Sequence, residues 1–289
     1  MSEKKTKEKP EETKAPLETN AETPRVEADE HEAGPSNFDP GVTFEVVEGE
    51  MEGGKRVRRK GVYLLPNLFT TGALFAGFYA IVAATNGAYE PAAVAIFISM
   101  IFDGLDGRVA RMTNTQSEFG AQYDSLSDCI SFGVAPALVA YSWALSTMGK
   151  IGWMVAFIYA ACAALRLARF NVQIETADKR YFTGLPSPSA AALVAGMVWL
   201  GTSAGIDRES SIVALVAAAI TAFAAIMMVS NVRYNSFKEL DVKGRVPFFV
   251  ILVIVLAIAV IFTYPEGVLW TIFLIYALSG PLGIFRRKS

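Results

Sequence analysis

From about residue 66 onward, apolar residues come in long blocks rather than in alternation, and polar residues collect between the blocks. The blocks cover roughly 66–86, 91–112, 119–146, 151–172, 187–204, 210–230, 247–264 and 267–285. About 20 predominantly apolar residues match the ~30 Å hydrocarbon core of a bilayer. The pattern therefore predicts an all-α, polytopic membrane bundle of about eight transmembrane helices. The third block is the weakest, because it contains Asp124 and Asp128, whereas Phe248 to Phe262 is wholly apolar. Residues 1–60 read differently. They are rich in Glu, Lys, Pro and Thr with no sustained apolar period, which predicts a disordered, charged tail.

Composition sharpens this division. The chain is 53% apolar and 19% charged, with a mean hydropathy of +0.36. Of its 54 charged residues, 26 fall in residues 1–60, so the remaining 229 residues are far poorer in charge than a soluble domain. The distribution of positive charge tests the span count independently. Counted over alternate loops, one side collects 18 Lys and Arg and the other only Lys150 and Arg208. That asymmetry predicts a multi-pass protein of the cell membrane with both termini cytoplasmic. Lys55, Arg56, Arg58, Arg59 and Lys60 lie just before the first span, where they would favour an anionic inner leaflet. The tail lacks the charged-then-apolar pattern of a cleaved signal peptide. No nucleic-acid partner is expected.

Two further residue types narrow the chemistry. Cys129 and Cys162 are the only cysteines, and they form neither a disulfide framework nor a metal-binding pattern. The sole histidine, His31, falls in the tail. Histidine is thus excluded as general base, and a His-ligated zinc site is excluded with it.

Ionisable residues inside a membrane domain are expensive and mark function by default. Here they gather in DGLDGRVARMTNTQSEFGAQYDSLSD, residues 103–128. Asp103, Asp106, Gly107 and Ala110 share one helical face, as do Gly120, Asp124, Ser127, Asp128 and Ser131 on the next helix. A helical hairpin would converge four carboxylates on one site. Such a cluster does not stay ionised at low dielectric without counter-charge, and an all-oxygen donor set suits two divalent cations, Mg2+ or Mn2+, rather than zinc. The small residues Gly107, Ala110 and Gly120 leave room for a large ligand such as a nucleotide. Arg111 could meet a phosphate.

Asp106-Gly107-x2-Ala110-Arg111-x8-Gly120-x3-Asp124-x3-Asp128, with Asp103 three residues earlier, resembles the CDP-alcohol phosphotransferase motif at every fixed position. The resemblance implies a six-helix catalytic membrane domain at 61–232, followed by two additional transmembrane helices at 233–289. It implies a CDP-linked lipid donor at the cytoplasmic membrane boundary. It also implies metal ligation by Asp103, Asp106, Asp124 and Asp128, with Asp128 as the base. Asn67 and Thr70, in Leu65-Pro66-Asn67-x2-Thr70, correspond to positions near the nucleotide, though capping of the first span is the bland reading of both.

The segments Ser127-Asp128-x2-Ser131-Phe132-Gly133, Arg166-Leu167-Ala168-Arg169-Phe170-Asn171 and Phe182-x-Gly184-Leu185-Pro186 are similar to members of that family whose acceptor is serine. The expected substrates are then CDP-diacylglycerol and L-serine, and the expected products phosphatidylserine and CMP. Ser131, Arg166 and Arg169 are the expected acceptor-side residues. Two readings stand for the arginines: anchoring at the membrane surface, or bidentate binding of a carboxylate or phosphate. Other acceptors (glycerol 3-phosphate, inositol phosphate, choline) are rivals within the class, and a cation or proton transporter is the rival from another class. Gly-, Ala- and Ser-rich helix faces suit close packing in lipid and are compatible with a homodimer.

Overall fold

The computed structural model describes residues 49–52, 55–58, 64–113, 117–173, 181–235 and 248–288. Most of the predicted tail lies outside these residues. Two short strands are described in its last part. Gly49–Glu52 (β1) and Lys55–Arg58 (β2) pair as an antiparallel hairpin. The sequence carries Gly53-Gly54 between them, a dipeptide that two-residue hairpin turns favour, and the surrounding charge masked that signal.

Every predicted apolar block is helical. The helices are α1 Leu64–Thr85, α2 Tyr89–Thr113, α3 Glu118–Asp128, α4 Ala135–Trp143, α5 Lys150–Gln173, α6 Ser187–Ser203, α7 Ser211–Val229, α8 Phe248–Thr263 and α9 Pro265–Lys288. Among the described residues, four helices are long and apolar enough to cross a membrane, over Leu65–Thr85, Lys150–Val172, Ser211–Val229 and Pro265–Gly283. The other blocks fall short for identifiable reasons. Charged residues Glu90, Asp103, Asp106, Arg108 and Arg111 interrupt α2, and α6 and α8 have only 17 and 16 residues.

The third block is one continuous path but not one helix. A π-helical turn, Cys129–Val134, joins α3 to α4. Pro136 has no N–H and cannot return an α-helical bond to the carbonyl of Phe132. The buried hydroxyl of Tyr159 on α5 donates to that carbonyl instead, at 3.2 Å. Gly133 lets the widened turn approach α5, since a Cβ there would come within 3.1 Å of Ala163. The turn follows directly on Asp128 and so sets where that carboxylate points.

Small residues bring the helices close, as packing in lipid requires. Ala73, Ala76, Ala80 and Ala83 of α1 are buried, as are Ala92, Ala93 and Ala95 of α2. Central in the bundle is α6, buried from Ala190 to Val198 and packed on α2, α4, α7 and α9. Its Gly196 faces Trp270 of α9, and its Trp199 meets Phe97 of α2. Large apolar side chains such as Phe75, Phe78, Trp153, Phe157, Ile212 and Leu215 point outward, a placement suited to acyl chains and costly in water. Two three-residue strands that the sequence did not reveal, β3 (Tyr181–Thr183) and β4 (Arg233–Asn235), pair antiparallel with Phe182 opposite Tyr234. They form a short ribbon leading into α6 and out of α7.

Candidate active site

The site lies where α1, α2 and α3 meet. One carboxylate oxygen from each of Asp103, Asp106 and Asp124 falls within 4.8 Å of the others. Asp128 joins them. Its carboxyl is within hydrogen-bonding reach of that of Asp103, and Asp106 stands in the same relation to Asp124. The predicted convergence of two helical faces is therefore what the structure displays.

Hydroxyl groups and tight contacts fix this geometry. The buried Thr70 of α1 donates to Asp106 Oδ2 at 2.9 Å and back to the Pro66 carbonyl at 3.2 Å. Ser127 donates to the Thr70 carbonyl at 3.2 Å. One turn further, Ser99 of α2 and Ser131 of the π turn both donate to the carbonyl of Ala73, at 2.9 and 3.1 Å. Ser131 is 0% exposed and sits on Gly77, where a Cβ would come within 2.8 Å of its Cα. Outside, Tyr123 of α3 shares a hydrogen bond with Thr71 at 3.0 Å, and Ser125 exchanges hydrogen bonds with Asn171 of α5 at 2.9 and 3.3 Å. Thus α3 is held on both flanks.

Among the described residues, the cation whose charge acts on this cluster is the buried Arg166, which reaches Asp128. Arg111, near in sequence, turns its Nε to the carbonyl of Gly107 at 2.8 Å. Beside the cluster, Gly104 has open space where a side chain would go, and Gly107 meets only Arg111 Nη2 at 4.0 Å. Gly120 lies close to Asn67, with Asn67 Oδ1 3.5 Å from where a Cβ would stand, while its amide caps onto Ser117 Oγ at 2.9 Å. Ala110 is half-buried and Arg111 exposed. A cluster of partly buried carboxylates of like charge is unfavourable unless a proton or a cation compensates it. Hard oxygen donors that converge beside open, glycine-lined space fit a hard divalent cation and could hold one.

The two arginines three residues apart on α5 have different surroundings. Arg166 is 7% exposed; its Nη1 donates to the buried Ser187 Oγ at the start of α6, at 2.7 Å, and its Nε has no partner. Its charge acts on Asp128 and on Tyr276. Arg169 is surrounded by acceptors. Its guanidinium donates to the carbonyls of Thr183 at 3.0 Å, Val229 at 3.2 Å, Ser230 at 3.3 Å and Met228 at 3.4 Å, and to Asn231 Oδ1 at 3.3 Å. It closes the end of α7, where orphaned carbonyls favour a cation. The positive φ of Gly184 (81°) and the Met228 carbonyl that a Cβ there would run into explain the glycine after β3. Sequence reasoning gave no role to Ser187, Thr71, Tyr123 and Asn171. Of these Tyr123 and Asn171 lay in segments it had singled out, and Ser187 directly follows one.

Fold and site together define a multi-pass membrane protein with a carboxylate-lined, polar end. The chain belongs to the CDP-alcohol phosphatidyltransferase family, whose model matches residues 63–232. It is similar to the CDP-diacylglycerol–serine O-phosphatidyltransferase of Helicobacter pylori, 39% identical over 219 residues that make up 76% of this chain and 90% of that one. Proteins of the same name from Mycobacterium bovis and Saccharomyces cerevisiae also match. The first is 33% identical, covering 81% of this chain and 84% of the relative. The second is 40% identical, covering 43% and 50%.

Proposed function

We propose that this chain transfers the phosphatidyl group of CDP-diacylglycerol to the hydroxyl of L-serine, giving phosphatidylserine and CMP. The observation that carries the reading is the convergence of Asp103, Asp106, Asp124 and Asp128 beside a glycine-lined opening. The serine acceptor is supported by the similarity to the Helicobacter and Mycobacterium enzymes.

Asp103, Asp106 and Asp124 would hold one divalent cation, and Asp103, Asp124 and Asp128 a second, Mg2+ or Mn2+ in each case. Bound there, the cations neutralise the diphosphate and polarise the phosphorus that is attacked. Thr70 keeps Asp106 oriented. Gly107, Ala110, Arg111 and Gly120, with Asn67 across the groove, line the space for the CDP moiety. Asp128, fixed by the π turn, accepts the proton of the serine hydroxyl as its oxygen bonds to the phosphorus bearing diacylglycerol and the bond to CMP breaks. The unpartnered Nε edge of Arg166 takes the serine carboxylate. Arg169 and Ser131, whose polar groups are already bonded to main-chain carbonyls, frame the acceptor side without touching it.

The lipid donor enters from the bilayer between outward apolar faces. All eight helical blocks cross the membrane, the aspartate end lies on the cytoplasmic side of the cell membrane with both termini, and the small-residue faces serve a homodimer. Residues 61–232 form the catalytic domain, and 233–289 two added helices.

The test is an acceptor screen. Purified protein receives CDP-diacylglycerol, Mg2+ or Mn2+, and each alcohol separately, with CMP release as the readout. Release with L-serine, abolished by a chelator, is expected. Release with glycerol 3-phosphate alone overturns the choice of acceptor, and cation flux across vesicles with no CMP formed overturns the enzyme reading.

A further inference from the structure

Helix α9 lies beyond the 63–232 match that defines the family, yet it is tied into the acceptor side of the site. Tyr234 of β4, also beyond that match, is the tie. Its side chain is 1% exposed, its hydroxyl donates to the carbonyl of Ala277 on α9 at 2.9 Å, and its ring lies 5.5 Å from that of Tyr276. Burial pushes the Tyr234 phenol up to about 12, so it stays a hydrogen-bond donor at any working pH. Gly280, one turn along α9, is where the tyrosine ring rests, and any side chain at that position would overlap the ring.

From Tyr234 a short chain of contacts leads to Arg166. Tyr234 pairs with Phe182 across the ribbon, and the residue after β3 bonds to the one before β4, Gly184 N to Val232 O at 2.8 Å. Leu185 N then bonds to Met227 O at 2.9 Å. Three residues beyond Gly184 comes Ser187, the partner of Arg166. From the other side, Tyr276 places its phenol within electrostatic reach of the Arg166 guanidinium. Both routes end at Arg166, whose buried Nε is without a partner.

We propose that α9, docked through Tyr234, Tyr276 and Gly280, is a positioning element for the acceptor site, holding the β3–β4 ribbon and Ser187 so that Arg166 presents its free edge to the acceptor carboxylate. This rests on the serine reading above. Tyr234, Tyr276 and Gly280 are positioning residues, since they act through Ser187 and Arg166. Loosening the tie must change how well the acceptor binds without changing how the CDP-lipid binds, because the aspartates lie on α2 and α3 and are braced by Thr70 of α1.

The experiment measures steady-state CMP release by the full chain while serine and CDP-diacylglycerol are varied separately. Tyr234→Phe keeps the ring and deletes the bond to Ala277. Tyr276→Phe keeps its packing and removes its hydroxyl. Each is expected to raise KM for serine by roughly five- to tenfold, the size of one buried hydrogen bond, with KM for CDP-diacylglycerol and kcat within about twofold. Gly280→Ala, which pushes the ring aside, should do the same or more, and a thermal melt checks that it folds. Unchanged KM for serine in folded Tyr234→Phe and Tyr276→Phe overturns the proposal, as does an equal rise in both KM values. Wild-type protein that releases CMP but never in response to serine would instead refute the acceptor assignment, leaving a distinct signature.

Discussion

One end of this bundle holds two neighbouring regions of opposite charge, built in opposite ways. The acidic region, on α1, α2 and α3, gathers carboxylates of like charge on one another, with open space at Gly104. The basic region, on α5, α6 and the β3–β4 ribbon, is closed. Arg169 there meets four carbonyls and an amide oxygen, and Arg166 bonds to Ser187 through Nη1 while its Nε is unpaired. Like charge gathered in one place is unstable by itself and is useful only when a ligand completes it. A guanidinium whose two terminal nitrogens already serve five acceptors has little left to offer a ligand. The acidic region is therefore built to receive, and the basic region, Arg166 apart, is built to hold shape.

The sharpest way to break this contrast is Asp128→Asn. It removes the proton acceptor while retaining size, so turnover should fall by roughly 10³-fold or more. Metal-dependent binding of the CDP-lipid should persist in part, measured by calorimetry or equilibrium binding. A wild-type rate in that variant removes Asp128 from the chemistry. Next comes Arg166→Gln. Loss of a charge-assisted bond to a carboxylate is worth about 2 kcal/mol, so KM for serine should rise about 30-fold while KM for the CDP-lipid holds. Arg169→Lys is predicted to act in the other currency. Lysine keeps the charge but not the planar fork that spans several acceptors, so the melting midpoint should drop by the equivalent of about 1–2 kcal/mol, with a smaller rise in KM for serine than in Arg166→Gln. Were Arg169→Lys the more damaging to serine binding, the division of labour between the two arginines would be reversed.

Much of the acidic region was legible because its information is local. The spacing Asp103–Asp106 and Asp124–Asp128 fixes which faces carry charge, and any hairpin of the two helices brings those faces together. The block pattern likewise located the helices to within a few residues, except that it read α3, the π turn and α4 as one span. The basic region was legible only in part. Arg166 and Arg169 are three apart at one helix end, and spacing treats them alike. What separates them is remote: Thr183 and Val229 lie 14 and 60 residues from Arg169, and Ser187 lies 21 from Arg166. Likewise Pro136 is plain in the sequence, but the widened turn it causes depends on the Tyr159 hydroxyl 27 residues beyond Phe132. The β3–β4 ribbon is two triplets some fifty residues apart, too short for any alternation to register. Thr70, expected beside the nucleotide, also bonds Asp106, a contact that only the packing of α1 on α2 could reveal.

The opposite end of the bundle supplies the control. There Arg208 stacks over the ring of Tyr89, 5.0 Å from guanidinium carbon to centroid, and Tyr89 in turn donates to the carbonyl of Ser142 at 2.9 Å. The pair joins the loop before α7 to the start of α2, and so to α4, far along the helices from Asp103 and Asp128. An exposed cation–π contact is worth about 0.5–1 kcal/mol. Arg208→Gln should therefore lower the melting midpoint slightly and leave both KM values and kcat as in the wild type. A serine-specific KM change in Arg208→Gln would mean that strain travels the length of the bundle. The contrast between a receiving region and a holding region would then describe the whole molecule rather than one end of it.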